Sequence, residues 1–214
     1  MIVDGVSTTA YVLRPDWASA SSDASTVMFD YNNRMYLSKT EAIDPTQYHT
    51  FDLLPGYLSF EVDLSTVECN CLTALYTVTM PAVDNTWDPF MYCDASDVGG
   101  YFCPEFDIME ANMHAFRTTA HECDAPVNGA YPSCHGDGNC VIDFILDAEA
   151  SSYGSGTTYG INTALPFKVR IGFNADENGL FSGYEISLIQ ERNRVIMASD
   201  TCSSYLNSLT DAMH

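Results

Sequence analysis

Apolar residues recur along this chain with a period of two far more often than with a period of 3.6, the pattern of strands with one buried face. In YLSFEVDL, residues 57–64, Leu58, Phe60, Val62 and Leu64 fall on one side and Ser59, Glu61 and Asp63 on the other. That alternation predicts a half-buried antiparallel strand. The same pattern predicts strands in TAYVLR (9–14), RMYL (34–37), LTALYTVTM (72–80), CVIDFIL (140–146), FKVRIGF (167–173), YEISLIQ (184–190) and RVIMA (194–198). Turn signals separate them: Pro55-Gly56, Asp176 through Gly179, Asn193 and the Gly/Ser-rich run 151–160. Only the last stretch, from about Asp200 to Met213, reads as helical, with Asp200 or Thr201 as its cap. The expected fold is all-β, an antiparallel β-sandwich or jelly roll with a short C-terminal helix. No internal repeat or linker interrupts the pattern, so one domain is expected over residues 1–214.

Composition narrows the partners. The chain is 46% hydrophobic and 12% aromatic, which excludes a disordered acidic tail. Its 29 Asp and Glu against 8 Lys and Arg give a net charge of -21. Phosphate backbones and anionic lipid surfaces are repelled by such a charge, so neither nucleic acid nor a membrane is an expected partner. No run reaches the roughly 18 apolar residues of a membrane helix. Eight cysteines without a repeated CxxC pair point to disulfides in an oxidising, extracellular setting rather than to zinc. The start, MIVDGVSTTA, has neither a basic nor an apolar leader segment. A signal peptide, if the protein uses one, is therefore expected to be absent from this sequence.

Residues 83–140 differ in texture, being rich in Cys, Gly, Pro and Asp. Within them stands Glu105-Phe106-Asp107-Ile108-Met109-Glu110-Ala111-Asn112. Glu105 and Asp107 share a strand face by alternation. Glu110 lies five positions from Glu105 and joins them only if a β-bulge absorbs one residue between Asp107 and Glu110. Glu105 and Glu110 would then stand about 13 Å apart at Cα, from four rises of about 3.3 Å. Side chains leaning together could close to the roughly 5 Å between carboxyls that retaining glycosidases use. Such a row offers a nucleophilic carboxylate beside a second carboxyl kept protonated by its like-charged neighbours. A solvated acidic strand face and a calcium site are the competing readings of these three residues alone.

The surrounding residues resemble glycoside hydrolase family 7, the cellobiohydrolases and endo-β-1,4-glucanases. That family carries an E-x-D-x-W-E-A-N strand followed by T-P-H-P-C; here Glu105 to Asn112 is followed by Thr119-Ala120-His121-Glu122-Cys123. Tyr57–Leu64 with Cys69 and Ala74-Leu75-Tyr76, then Tyr92-Cys93-Asp94, then Cys140 and Ser152-Tyr153-Gly154, match further family segments in order. The resemblance implies Glu105 as nucleophile, Asp107 as its orienter and Glu110 as general acid/base. It implies His121 beside the leaving-group sugar, and Tyr76, Tyr92 and Asp94 along the substrate groove. It also implies the disulfides Cys93–Cys103, Cys123–Cys134 and Cys140–Cys202, a β-glucan substrate, and neither metal nor other cofactor. Cys69 and Cys71 are left without assigned partners: a link to each other, free thiols or a bridge to another chain all fit.

The departures are specific. Met109 stands where the family has tryptophan, Glu122 where it has proline, and Pro104 precedes the nucleophile position. Family catalytic domains are considerably longer, and only Trp17 and Trp87 are present to stack on sugar rings. A glucanase of the related family 16 shares the bulged acidic strand, although the His-Glu-Cys turn and cysteine pattern favour family 7. A different class also fits: a non-catalytic extracellular glycan-binding or structural subunit on the same fold, pairing through Cys69, Cys71 or open strand edges. A calcium-dependent acidic matrix protein is supported by charge alone.

Overall fold

A computed structural model describes residues 1–15, 19–23, 25–199 and 202–214. Eight strands build two antiparallel sheets. They are β1 (Gly56–Val62), β2 (Thr73–Val78), β3 (Glu105–Ala111), β4 (Phe116–His121), β5 (Asn139–Asp143), β6 (Phe167–Ala175), β7 (Phe181–Gln190) and β8 (Asn193–Ala198). One sheet has the order β5-β4-β3-β2 and the other β8-β7-β6-β1. Short two-stranded ladders flank them, among them Tyr11–Leu13 with Tyr36–Ser38. The fold is the expected all-β sandwich.

Alternation sets the interior. In β6, Phe167, Val169, Ile171 and Phe173 are buried while Lys168, Arg170 and Asn174 are exposed. Across the sandwich Phe106 of β3 meets Tyr184 edge-on at 5.0 Å and Phe173 at 5.4 Å between ring centroids. Each such buried side chain contributes roughly 1.5–3 kcal/mol, so the two sheets are held face to face by their aromatic layer. One polar link crosses it: the Thr118 hydroxyl bonds the Tyr184 hydroxyl at 2.8 Å, and that hydroxyl donates to the Cys140 carbonyl.

The end of the chain departs from the expected single helix. It forms a five-residue α-helix, α1 (Ser203–Asn207), and then a separate 3-10 turn over Thr210–Met213. Asp200 and Thr201, the expected caps, lie outside the described residues. Leu206, Leu209 and Met213 are all buried in the main core, so docking of three apolar anchors decides this conformation more than helix propensity does. The segment also braces β4: Tyr205 accepts the Glu122 amide at 3.0 Å and donates to the Ala120 carbonyl at 3.3 Å.

The cysteines pair as Cys93–Cys103, Cys123–Cys134 and Cys140–Cys202. Cys69 and Cys71 carry no disulfide, and Cys69 is exposed. No helix among the described residues is long and apolar enough to cross a membrane.

Candidate active site

The acidic strand β3 is central in its sheet, flanked by β2 and β4. Tyr76 and Thr119 pair with Asp107, whereas Leu75 pairs with Met109 and Arg117 with Glu110. β3 thereby carries one residue more than each neighbour across this stretch, which is the β-bulge expected between Asp107 and Glu110. Ile108 and Met109 are both buried, at 1% and 2% exposure, because the bulge turns both consecutive side chains into the core. Glu105, Asp107 and Glu110 are left on the opposite face, with Glu105 opposite His121.

The row is densely bonded. Glu105 Oε2 accepts the Ala95 amide at 2.9 Å. Asp107, 6% exposed, lies with Oδ2 2.9 Å from His121 Nε2. His121, 7% exposed, has its Nδ1 2.9 Å from the His135 carbonyl. Glu110 Oε2 is 3.4 Å from the Thr119 hydroxyl. Burial and the Asp107 charge push the Glu105 carboxyl up to about 7, although the Ala95 amide favours its anion. Glu110 is raised by the same two causes, opposed by Arg117 and His121. Burial disfavours charge on His121, but its bonds to Asp107 and to the His135 carbonyl outweigh this and raise its pKa. The two glutamates therefore hold protons more tightly than free side chains.

Glu105, Asp107 and His121 bring one donor atom each within 4.8 Å of one another. Asp107 and His121 are in direct hydrogen-bond contact, while Glu105 is bonded instead to the Ala95 amide.

A second group lies beside the row. The Tyr92 hydroxyl donates to Asp94 Oδ2 at 2.6 Å and accepts from the Tyr76 hydroxyl at 3.0 Å. Tyr92 is only 2% exposed, so it lies beneath the surface rather than facing a substrate; Tyr76 and Asp94 are partly exposed. Over its ring sits the Arg34 guanidinium, 3.5 Å from the centroid, a cation–π contact. Burial opposes the Arg34 charge, but the three surrounding tyrosines, Tyr92, Tyr76 and Tyr36, raise its pKa. Sequence reasoning missed Arg34, reading it only as the start of an apolar run. One signal was available: a cation directly beside a tyrosine-bearing strand in a chain with 8 basic residues. The Ala95 amide was missed as well, because a backbone donor leaves no trace in residue identity. Trp87 is 60% exposed, and Trp17 lies outside the described residues.

Solved structures share this architecture. An endoglucanase I complexed with cellobiose superposes with a TM-score of 0.70, at 21% identity, over 86% of this chain and 60% of that one. A GH7 family cellobiohydrolase from Daphnia pulex gives 0.65 at 20% identity, over 98% of this chain and 64% of that one. The fold is that of these glycoside hydrolase family 7 structures. In sequence, the family 7-like chain is 26% identical over 223 residues to the endo-beta-1,4-glucanase celB of Emericella nidulans, covering 84% of this chain and 51% of celB. It thus spans about half the length of that curated relative. No model of a known protein family matches the chain.

Proposed function

We propose that this protein is a retaining glycosidase that cleaves β-1,4-glucan outside the cell, working as one domain over residues 1–214. The observation that carries the reading is the bulged strand, which sets Glu105, Asp107 and Glu110 on one face of the sheet, with His121 bonded to Asp107. An endo-β-1,4-glucanase relative and a cellobiose-bound fold neighbour support the substrate class. Three disulfides suit an oxidising compartment.

In this mechanism an oxygen of ionised Glu105 attacks the anomeric carbon while protonated Glu110 passes its proton to the departing glycosidic oxygen. A glycosyl ester forms on Glu105, and the freed sugar leaves. Glu110, now a carboxylate, takes a proton from water as that water attacks the same carbon and releases Glu105. Asp107 orients Glu105, and His121 holds Asp107. Tyr76, Asp94 and Arg34 offer hydroxyl, carboxylate and guanidinium partners to sugar hydroxyls, with Tyr92 fixing all three.

Reducing-sugar release from soluble carboxymethyl cellulose tests the reading. Glu105→Gln should abolish release while leaving the far-UV dichroism unchanged; retained release would remove Glu105 from its role. A second reading, a non-catalytic glycan-binding or structural subunit, draws on the exposed Cys69. It requires a wild-type chain that binds glucan without cleaving it and a solution mass that falls on reduction.

A further inference from the structure

His121 lies between two groups that can only accept. Its Nδ1 is 2.9 Å from the His135 carbonyl oxygen, and its Nε2 is 2.9 Å from Asp107 Oδ2. A carbonyl oxygen has no proton to give, and an ionised carboxylate has none either. A neutral imidazole carries one N–H and can satisfy one of the two, leaving a lone pair facing an acceptor on the other side. The contacts close in only two ways: a ring protonated at both nitrogens, or a proton on Asp107.

The surroundings decide between them. Imidazole ordinarily binds a proton more tightly than an aspartate carboxylate by a factor of roughly several hundred. The groups around His121 add to that preference. On β3 they are Asp107, Glu105 and Glu110, and Glu122 follows His121 directly in the chain. Against these stand Arg117 on β4 and the His135 ring, which itself lies 3.5 Å from Glu122. Carboxylates dominate, so positive charge on the ring is favoured.

The backbone holds the ring where both bonds form. The disulfide Cys123–Cys134 closes the loop that follows β4, directly before His135, whose amide bonds the Glu122 carbonyl at 2.8 Å. The His135 carbonyl also accepts the Gly138 amide at 2.9 Å. Gly138 has φ +64°, and a Cβ there would stand 2.8 Å from His121 Cε1. The ring edge thus rests against a position that only glycine fills.

We infer that His121 is a positioning residue that acts as a standing imidazolium, donating through Nδ1 to the His135 carbonyl and through Nε2 to Asp107, so that Asp107 is fixed as a carboxylate beside Glu105. Its catalytic meaning rests on the glycosidase reading above; the charge on the ring does not. Loss of the proton would break one of the two bonds and free either the loop or Asp107.

The test is a long-range 1H–15N correlation spectrum of the full chain labelled at histidine, recorded at pH 7.5. An ordinary histidine is about nine-tenths neutral there. The expected result is one of the five imidazoles with both nitrogens at imidazolium shifts, absent from the spectrum of His121→Gln. Should that variant not fold, single replacements of the exposed His114, His135 and His214 by Asn leave the same signal in place. In Asp107→Asn the signal should move to that of a neutral ring. A neutral His121 of either tautomer in the wild type overturns the inference, as does an imidazolium that persists unchanged in Asp107→Asn. A chain that shows the imidazolium yet cleaves no glucan would remove the proposed function and leave the clamp standing.

Discussion

Tyr76 and Asp107 stand directly opposite one another across the β2–β3 ladder, at the step where its register slips. The slip turns Ile108 and Met109 together into the core and returns Glu110 to the face of Glu105 and Asp107. Position 109 therefore tolerates apolar shape and rejects charge. Met109→Leu should cost less than about 1.5 kcal/mol. Met109→Lys should unfold the protein or leave it insoluble, since it buries an unpaired cation. Thermal melts of the two variants check this.

Glu105 binds its proton more tightly in the folded chain, where its pKa is about 7, than in the unfolded one. A raised carboxyl pKa contributes stability below the unfolded value near 4.5, and that stability is lost as pH rises through 7. Glu105→Gln should accordingly match the wild type at pH 4 and exceed it at pH 8. A gain of about 1–2 kcal/mol is expected, since a tenfold change in proton affinity is about 1.4 kcal/mol and partial solvation returns part of it. Urea titrations at the two pH values measure the difference.

Turnover by the proposed mechanism needs Glu105 ionised and Glu110 protonated. With the Glu105 carboxyl raised to about 7 and Glu110 raised as well, kcat/KM should be bell-shaped, rising as pH passes through about 7 and Glu105 ionises. The basic limb marks Glu110 losing its proton. A profile flat to pH 9 would contradict the assignment.

Gly138→Ala should destabilise the chain by about 1–3 kcal/mol, through a left-handed backbone and a Cβ driven 2.8 Å from the Ala120 carbonyl. It should also lower kcat at least tenfold, because the displaced neighbours are Thr119, whose methyl the new Cβ meets first, and His121. A melt paired with a rate measurement separates the two effects.

Arg34→Ala should raise KM for cello-oligosaccharides about tenfold with a smaller change in kcat. Its guanidinium caps Tyr92 and bonds none of the three carboxylates of the row, so it serves binding more than bond cleavage. Equal losses in kcat and kcat/KM would place it in the reacting centre instead.

The strands were readable because side-chain alternation is a local property: β6 and β7 lie where their period-two patterns put them. The bulge was readable from a count of five between two glutamates, given that both belong on one face. The C-terminal segment was not, because Leu206, Leu209 and Met213 take their conformation from the core beneath them. The burial of Tyr92 was equally hidden, since it depends on Arg34, 58 positions earlier in the chain, reaching its ring.

By itself the sequence determined the all-β class and the acidic face of β3, which rest on spacing within short segments, while the three cysteine pairs were implied by the family resemblance. Tertiary structure decided the bonding of that face. The Ala95 amide on Glu105, the His135 carbonyl on His121 and the arginine over Tyr92 come from outside the strand that carries the acidic row. Backbone groups carry no residue identity, and partners brought together by folding leave no period, so neither could be read from the order of residues.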